Sequence, residues 1–155
     1  LRSHPAIYVA MIDDLPDRTA DALPRSLAHL IKWAEMRVRS RLDAALRPFK
    51  LSSGQFLLLV TLDDLGQETR AGIARLLHLR PQSVTVLVRP LMERGLVGER
   101  LDEANRRRAI VELTDAGRLL LAQVRTITPA VEDNITDRLT ADDKQRLRAI
   151  LLKIV

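Results

Sequence analysis

No cysteine occurs among the 155 residues, which excludes disulfides, thiolate nucleophiles, cysteine-ligated zinc and any thiol-based redox switch. Aromatic residues make up only 3% of the chain, against 46% hydrophobic residues in all. That scarcity points to an aliphatic, helical core rather than a β-sandwich. No apolar run is long enough to span a bilayer and no secretory signal is visible, so a cytoplasmic protein is expected. Signatures of catalysis are equally thin. The sequence holds no Gly-rich phosphate loop and no G-x-S-x-G elbow. His4, His29 and His78 stand alone, without ligand-spaced neighbours, so no metal site is expected. Asp63-Asp64 and Asp142-Asp143 are adjacent acids, and adjacent helical residues do not converge on one substrate atom. They read as helix-end charges. Neither an enzyme nor a cofactor is indicated.

What the chain does have is positive charge, and most of it is arginine. The formal net charge is +5 with a pI near 10.4, which favours polyanionic partners. The basic residues are 21 arginines and four lysines. Arginine suits bidentate contacts to phosphate and guanine, although codon usage in a GC-rich genome would produce the same bias.

The stretch Pro81 to Leu113 organises the rest. Val84, Leu87, Val88, Leu91 and Met92 fall at i, i+3, i+4, i+7 and i+8, the spacing of one helix face. Gln82, Ser83, Thr85, Val86 and Arg89 are left facing outward. Pro81 suits a first helical position, where its missing N–H would have no partner anyway. Gly95 suits a helix terminator because it tolerates the left-handed conformation. Two strand-like runs follow, Leu96 to Leu101 and Ala109 to Leu113, separated by the polar tip DEANRRR. A helix with a small polar face, followed by a hairpin with a basic tip, is what a winged helix-turn-helix offers to DNA. The helix fits the major groove and the tip reaches the adjacent minor groove.

Elsewhere the chain reads as helices. Leu23, Leu27, Leu30, Ile31, Ala34, Val38, Leu42 and Ala45 mark a long amphipathic helix ending near Arg47-Pro48. Ser52 and Gln55 form a capping box for the next helix, through Phe56, Leu58, Leu59 and Leu62. After a break at Leu65-Gly66-Gln67-Glu68, Thr69 can cap a short helix that buries Ile73, Ala74, Leu76 and Leu77. Beyond the hairpin, Thr114 caps a second long helix carrying Leu120, Val124, Ile127, Val131, Ile135 and Leu139. Thr140 and Asp143 open a last one, with Leu147, Ile150, Leu151 and Ile154 as its stripe. The apolar stripes of the terminal helices exceed what a small DNA-binding lobe can cover, which argues for a second copy of the chain. Residues 1–22 join an apolar hexapeptide, Ile7 to Ile12, to four aspartates and read as a short helix or an arm lying on a partner subunit, with a loosely ordered terminus as the plainer alternative.

Residues 52–118 resemble the MarR family of bacterial transcription regulators. The resemblance is carried by Ser52-Ser53-Gly54-Gln55-Phe56, Ile73-Ala74, Gly95-Leu96-Val97, Asn105-Arg106-Arg107 and Leu113-Thr114-Asp115-Ala116-Gly117-Arg118, in that order and at matching spacings. It implies a mainly α fold: one MarR-like domain over 1–155, with a winged helix-turn-helix lobe at 52–113. Long helices within 1–50 and 114–155 would then form a dimerisation region. Three departures stand out. Asn105 replaces the usual wing aspartate, Gly98-Glu99 replaces a common Glu-Arg pair, and Pro90 lies inside the recognition helix, where it removes one backbone hydrogen bond and is expected to kink or locally loosen the helix. Relatives that sense peroxide do so through cysteine, which this chain lacks.

The candidate contacts to double-stranded DNA are Arg80, Gln82, Ser83, Thr85 and Arg89 on the helix and Arg106, Arg107 and Arg108 on the wing. Glutamine can read adenine and arginine guanine. By the resemblance, Arg107 is the minor-groove residue, while Arg106 and Arg108 meet phosphates. Arg70, Arg75 and His78 are further phosphate candidates. In that family small aromatic acids bind between the dimer helices and the DNA lobe, so Trp33 and Arg37, one turn apart, are candidates for a small aromatic or anionic effector. Trp33 as an interface or core residue, beside a solvated Arg37, is the plainer alternative. The function implied is a homodimeric repressor acting at a pseudo-palindromic operator. A winged-helix module that binds protein without DNA is the alternative.

Overall fold

The computed structural model describes residues 26–154, apart from 104, 106 and 107. The amino-terminal arm and two of the three wing arginines, Arg106 and Arg107, therefore lie outside the described residues. The elements run α1 (Leu27–Leu46), a short 3-10 turn (Arg47–Phe49), α2 (Ser53–Leu65), β1 (Gln67–Thr69) and α3 (Arg70–Leu76). Then come α4 (Pro81–Glu93), β2 (Val97–Leu101), β3 (Ala109–Leu113), α5 (Asp115–Ile135) and α6 (Ala141–Leu151). The described residues fall into two compact units, one of residues 43–127 and one of residues 26–42 with 128–154. Among them, no helix is long and apolar enough to cross a membrane.

Residues 43–127 form a winged helix-turn-helix lobe, and its helix starts follow local chemistry. The Ser52 hydroxyl accepts from the Gln55 N–H while the Gln55 side chain accepts from the Ser52 N–H, the reciprocal box expected. Thr69 caps α3 by accepting from Gly72 N–H, and Pro81 occupies the first turn of α4. Gly95, at φ +67°, ends α4 in the left-handed region that glycine enters without a steric penalty. Despite Pro90, α4 continues without interruption to Glu93.

The sheet is larger than the hairpin alone. Gln67 and Glu68, expected to be only part of a break, join the capping residue Thr69 in a third strand antiparallel to β3, with Glu68 opposite Val111. Strand order is β1-β3-β2, so β3 is the central strand. The β2–β3 register runs from Val97 opposite Leu113 to Leu101 opposite Ala109. Beneath the sheet, Leu58, Leu59, Leu62, Ile73, Val84, Val88, Leu91 and Val111 are completely buried. Leu46, Leu121 and Val124 join this aliphatic core from α1 and α5. Leu76, expected inside, is instead 51% exposed. It is the last residue of a helix that lasts only two turns, and the burial there is carried by Ile73 and Ala74.

The other unit holds the start of α1, the end of α5, and α6. Every buried hydrophobic side chain among the described residues belongs to the lobe, and none to this unit. Leu27, Ile31, Ile150, Leu152 and Ile154 remain 47–74% exposed. α6 opens on the expected capping box between Thr140 and Asp143. Hydrogen bonds from the Thr140 hydroxyl and N–H hold the Asp143 carboxyl below the ordinary carboxylate range. The stabilisation is therefore present above that range and disappears as pH falls through the lowered pKa.

The start of α5 lies against the backbone that leaves α4. A Cβ on Gly117 would collide with the Leu96 carbonyl oxygen, and the Gly117 N–H donates to Thr114 Oγ1 at 3.0 Å. The obstacle is backbone and cannot move aside as a side chain would. Gly117→Ala should destabilise the lobe by about 1–3 kcal/mol, read as a lower urea midpoint. An unchanged midpoint would mean that the contact does not constrain the fold.

Candidate nucleic-acid interface

Helix α4 buries Val84, Val88 and Leu91 and turns the opposite stripe to solvent. Gln82, Val86, Arg89 and Glu93 recur along that stripe at i, i+4, i+7 and i+11. Of the sequence candidates, Arg80, Gln82, Thr85 and Arg89 are exposed, and Ser83 is half-buried. Two of them already have partners. Arg89 Nε lies 2.9 Å from Glu93 Oε1. The Thr85 hydroxyl donates to the Pro81 carbonyl at 3.4 Å and accepts from Arg70 Nη1 at 3.3 Å.

Arg70, expected among the phosphate contacts, faces inward instead. Its Nε and Nη2 each lie 2.7 Å from one oxygen of Glu99, a two-pronged ion pair between α3 and β2. Nη2 also approaches Met92 Sδ at 3.9 Å. One guanidinium thus joins α3, the wing strand β2 and the recognition-like helix α4. The pair is 29 residues apart in sequence, so no spacing rule reveals it. The remaining phosphate candidates, Arg75, His78 and Arg80, are exposed. His78 takes φ +50° in the turn between α3 and α4, a conformation histidine tolerates better than bulky side chains do.

Two further contacts escaped the sequence reading. Arg94 donates from Nη1 to the Lys50 carbonyl at 2.6 Å and from Nη2 to the Phe49 carbonyl at 2.9 Å. This ties the end of α4 to the turn that follows α1. Arg100 on β2 donates to Gln67 Oε1 at 2.8 Å and lies 3.8 Å from Glu112, bracing the three strands across one face.

The wing tip is shaped by backbone hydrogen bonds. Asp102 N–H donates to the Arg108 carbonyl at 2.9 Å, Arg108 N–H to Asn105 at 2.8 Å and Asn105 N–H to Asp102 at 3.2 Å. Arg108 is exposed beside this turn. Arg106 and Arg107 fall outside the described residues, so their assignment rests on their position in the sequence.

On α1, Trp33 and Arg37 are both half-buried. The Nε of Arg37 is buried and finds no hydrogen-bond partner among the described residues. A guanidinium N–H withdrawn from water without an acceptor is unfavourable, and an anionic group would relieve it.

Residues 51–109 match the MarR family profile. An HTH-type transcriptional repressor of Mycobacterium tuberculosis is 27% identical over 135 residues, covering 87% of this chain and 96% of that protein. The HTH-type transcriptional repressor NicR of Pseudomonas putida is 25% identical over 139 residues, covering 90% and 88%. Among solved structures, mutant MarR from E. coli complexed with operator DNA superposes with a TM-score of 0.77 at 22% identity, covering 83% of this chain and 93% of that one. Bordetella bronchiseptica BpsR, from a structure titled for regulation of its DNA binding by 6-hydroxynicotinic acid, gives 0.76 at 22% identity, covering 84% and 93%. These likenesses to solved structures show the winged-helix fold.

The Arg70–Glu99 pair is testable without DNA. Its side chains are 31% and 20% exposed, between the regimes of surface pairs and buried ones. A double-mutant cycle of Arg70→Met and Glu99→Gln should give a coupling of about 1–2 kcal/mol in urea unfolding. A coupling near zero would reduce the fork to a surface contact.

Proposed function

We propose that the chain is a regulator of the MarR type, a homodimeric, sequence-specific DNA-binding repressor whose operator affinity a small effector lowers; the match of residues 51–109 to the MarR profile and the likeness to HTH-type transcriptional repressors support this. The observation that carries this reading is the pairing of an exposed polar stripe on α4 with an adjoining hairpin whose tip is basic. Gln82 offers its amide to adenine, and Arg89 can exchange Glu93 for guanine or phosphate. That exchange costs little, because an exposed i,i+4 ion pair is worth roughly 0.3–0.5 kcal/mol. Arg80, Arg108 and Arg106 serve phosphates, Ser83 and Thr85 flank the base-reading stripe, and Arg107 enters the minor groove. Two α4 helices in a dimer address half-sites about 34–36 Å apart on a pseudo-palindromic duplex.

Dimerisation rests on the apolar residues that α1, α6 and the turn after α6 leave uncovered, Leu27, Ile31, Ile150 and Leu152 among them. The effector is a small aromatic or anionic molecule held at Trp33 and Arg37, in keeping with the unpartnered Arg37 Nε. BpsR, which shares the fold, has its DNA binding regulated by an aromatic acid. A regulator of this kind works in the cytoplasm. The rival reading, a winged-helix module for protein partners, is disfavoured by the basic tip, and the salt dependence of binding separates the two.

Light scattering at micromolar concentration should give twice the 17.5 kDa chain mass. A stable folded monomer would remove the basis for two half-sites.

Binding should be measured on a duplex selected by the protein from a random pool. Arg107→Ala should weaken it and flatten the slope of log affinity against log salt by about one unit, the signature of one lost ionic contact. The dimer mass should not change. Equal affinity and slope in the variant would mean that the wing does not touch DNA.

A further inference from the structure

The outer stripe of α4 contains one apolar residue, which neither charge nor hydrogen bonding to DNA explains. Val86 is 70% exposed, in the middle of the stripe, one turn after Gln82 and one turn before Arg89. It lies opposite the buried Val84, Val88 and Leu91 and takes no part in the core. A valine is also a poorer helix former than most polar residues that could stand there. Neither packing nor local helix stability accounts for it.

The stripe around Val86 narrows the alternatives. Arg89 is held by Glu93 and the Thr85 hydroxyl is engaged by Arg70 and Pro81. Gln82 is exposed. The groups on this stripe that reach a groove without first giving up a partner are thus one amide and one isopropyl group. The floor of the major groove presents a single apolar group, the C5-methyl of thymine. An isopropyl group at that depth contacts it and sheds water from both, and it leaves no polar atom of its own unsatisfied.

We propose that Val86 is a specificity-determining residue that reads the C5-methyl of a thymine in each half-site, beside an adenine read by Gln82. This rests on the reading of the chain as a DNA-binding regulator, and it adds that A·T pairs lie beneath the first two turns of α4. The contact is purely apolar, so it discriminates thymine from uracil, which has the same hydrogen-bonding edge and lacks the methyl.

The test uses the full chain and the duplex it selects from a random pool. Each thymine is replaced in turn by deoxyuridine, and dissociation constants are measured at fixed salt. One thymine per half-site should respond, with affinity falling roughly fourfold per methyl removed. Val86→Ala should bind the thymine and uracil duplexes with a ratio close to one, while its salt slope stays that of the wild type. At this exposed helical position the melting temperature should be no lower than that of the wild type. Salt-dependent binding with no uracil-sensitive position, or an undiminished ratio in Val86→Ala, would overturn the thymine contact and leave the DNA-binding reading intact. The absence of any salt-dependent duplex binding would overturn that reading and this inference together.

Discussion

The guanidinium of Arg70 holds the exposed parts of the lobe in a fixed relation. Its two prongs on Glu99 fasten α3 to β2, and its remaining contacts reach Thr85 and Met92 on α4. Without it, the helix and the hairpin would be related mainly by the aliphatic core beneath them. That core fixes the depth of α4 well and its rotation less well, because apolar contacts are not directional. A forked, planar donor supplies the missing direction, and lysine could not, since it has no second prong. The pair is mostly withdrawn from solvent, so salt screens it less than it screens Arg89 and Glu93. A surface held this way before binding has less ordering left to undergo when a duplex arrives.

The two ends of α4 are secured by different means. Its start relies on Pro81 and on a turn in which His78 adopts the left-handed region. Its end is gripped by Arg94 on two carbonyls of the turn after α1. The unit built from the start of α1, the end of α5 and α6 contrasts with this. It has no buried hydrophobic side chain of its own among the described residues.

Much of this was legible because its causes are local. The capping boxes at Ser52 and Thr140, Pro81 at a helix start, and Gly95 at a helix end each involve residues within one turn of each other. The hairpin was legible for the same reason. Strand β1 was not, because Gln67 to Thr69 are three polar or half-buried residues whose partner, β3, lies more than forty positions away. The partner of Arg70 was hidden for a related reason. Its charge suggested phosphate, and only the folded register shows Glu99 waiting for it. Leu76 was misplaced because helical spacing does not register how soon α3 ends. Val86 was correctly turned outward yet left off the reading set, since an exposed valine invites no comment until its polar neighbours are found to be engaged. The sequence readings at Arg106 and Arg107 fall outside the described residues and still rest on motif order alone.

Thr114 joins the return of the hairpin to its departure. Its hydroxyl donates to the Gly95 carbonyl at 2.7 Å, and its N–H donates to Leu96 at 3.2 Å. The chain from Gly95 to Thr114 is therefore an excursion whose two feet stand together. Residues added at the tip lengthen a loop that is already closed, and closure entropy grows only with the logarithm of length, about 0.6 kcal/mol per doubling. The tip of the wing can thus be lengthened, shortened or rewritten over generations while the buried residues of β2 and β3 go unaltered. Reach and stability are separate variables in this architecture, so a lineage can explore new binding sites without first having to rebuild its fold.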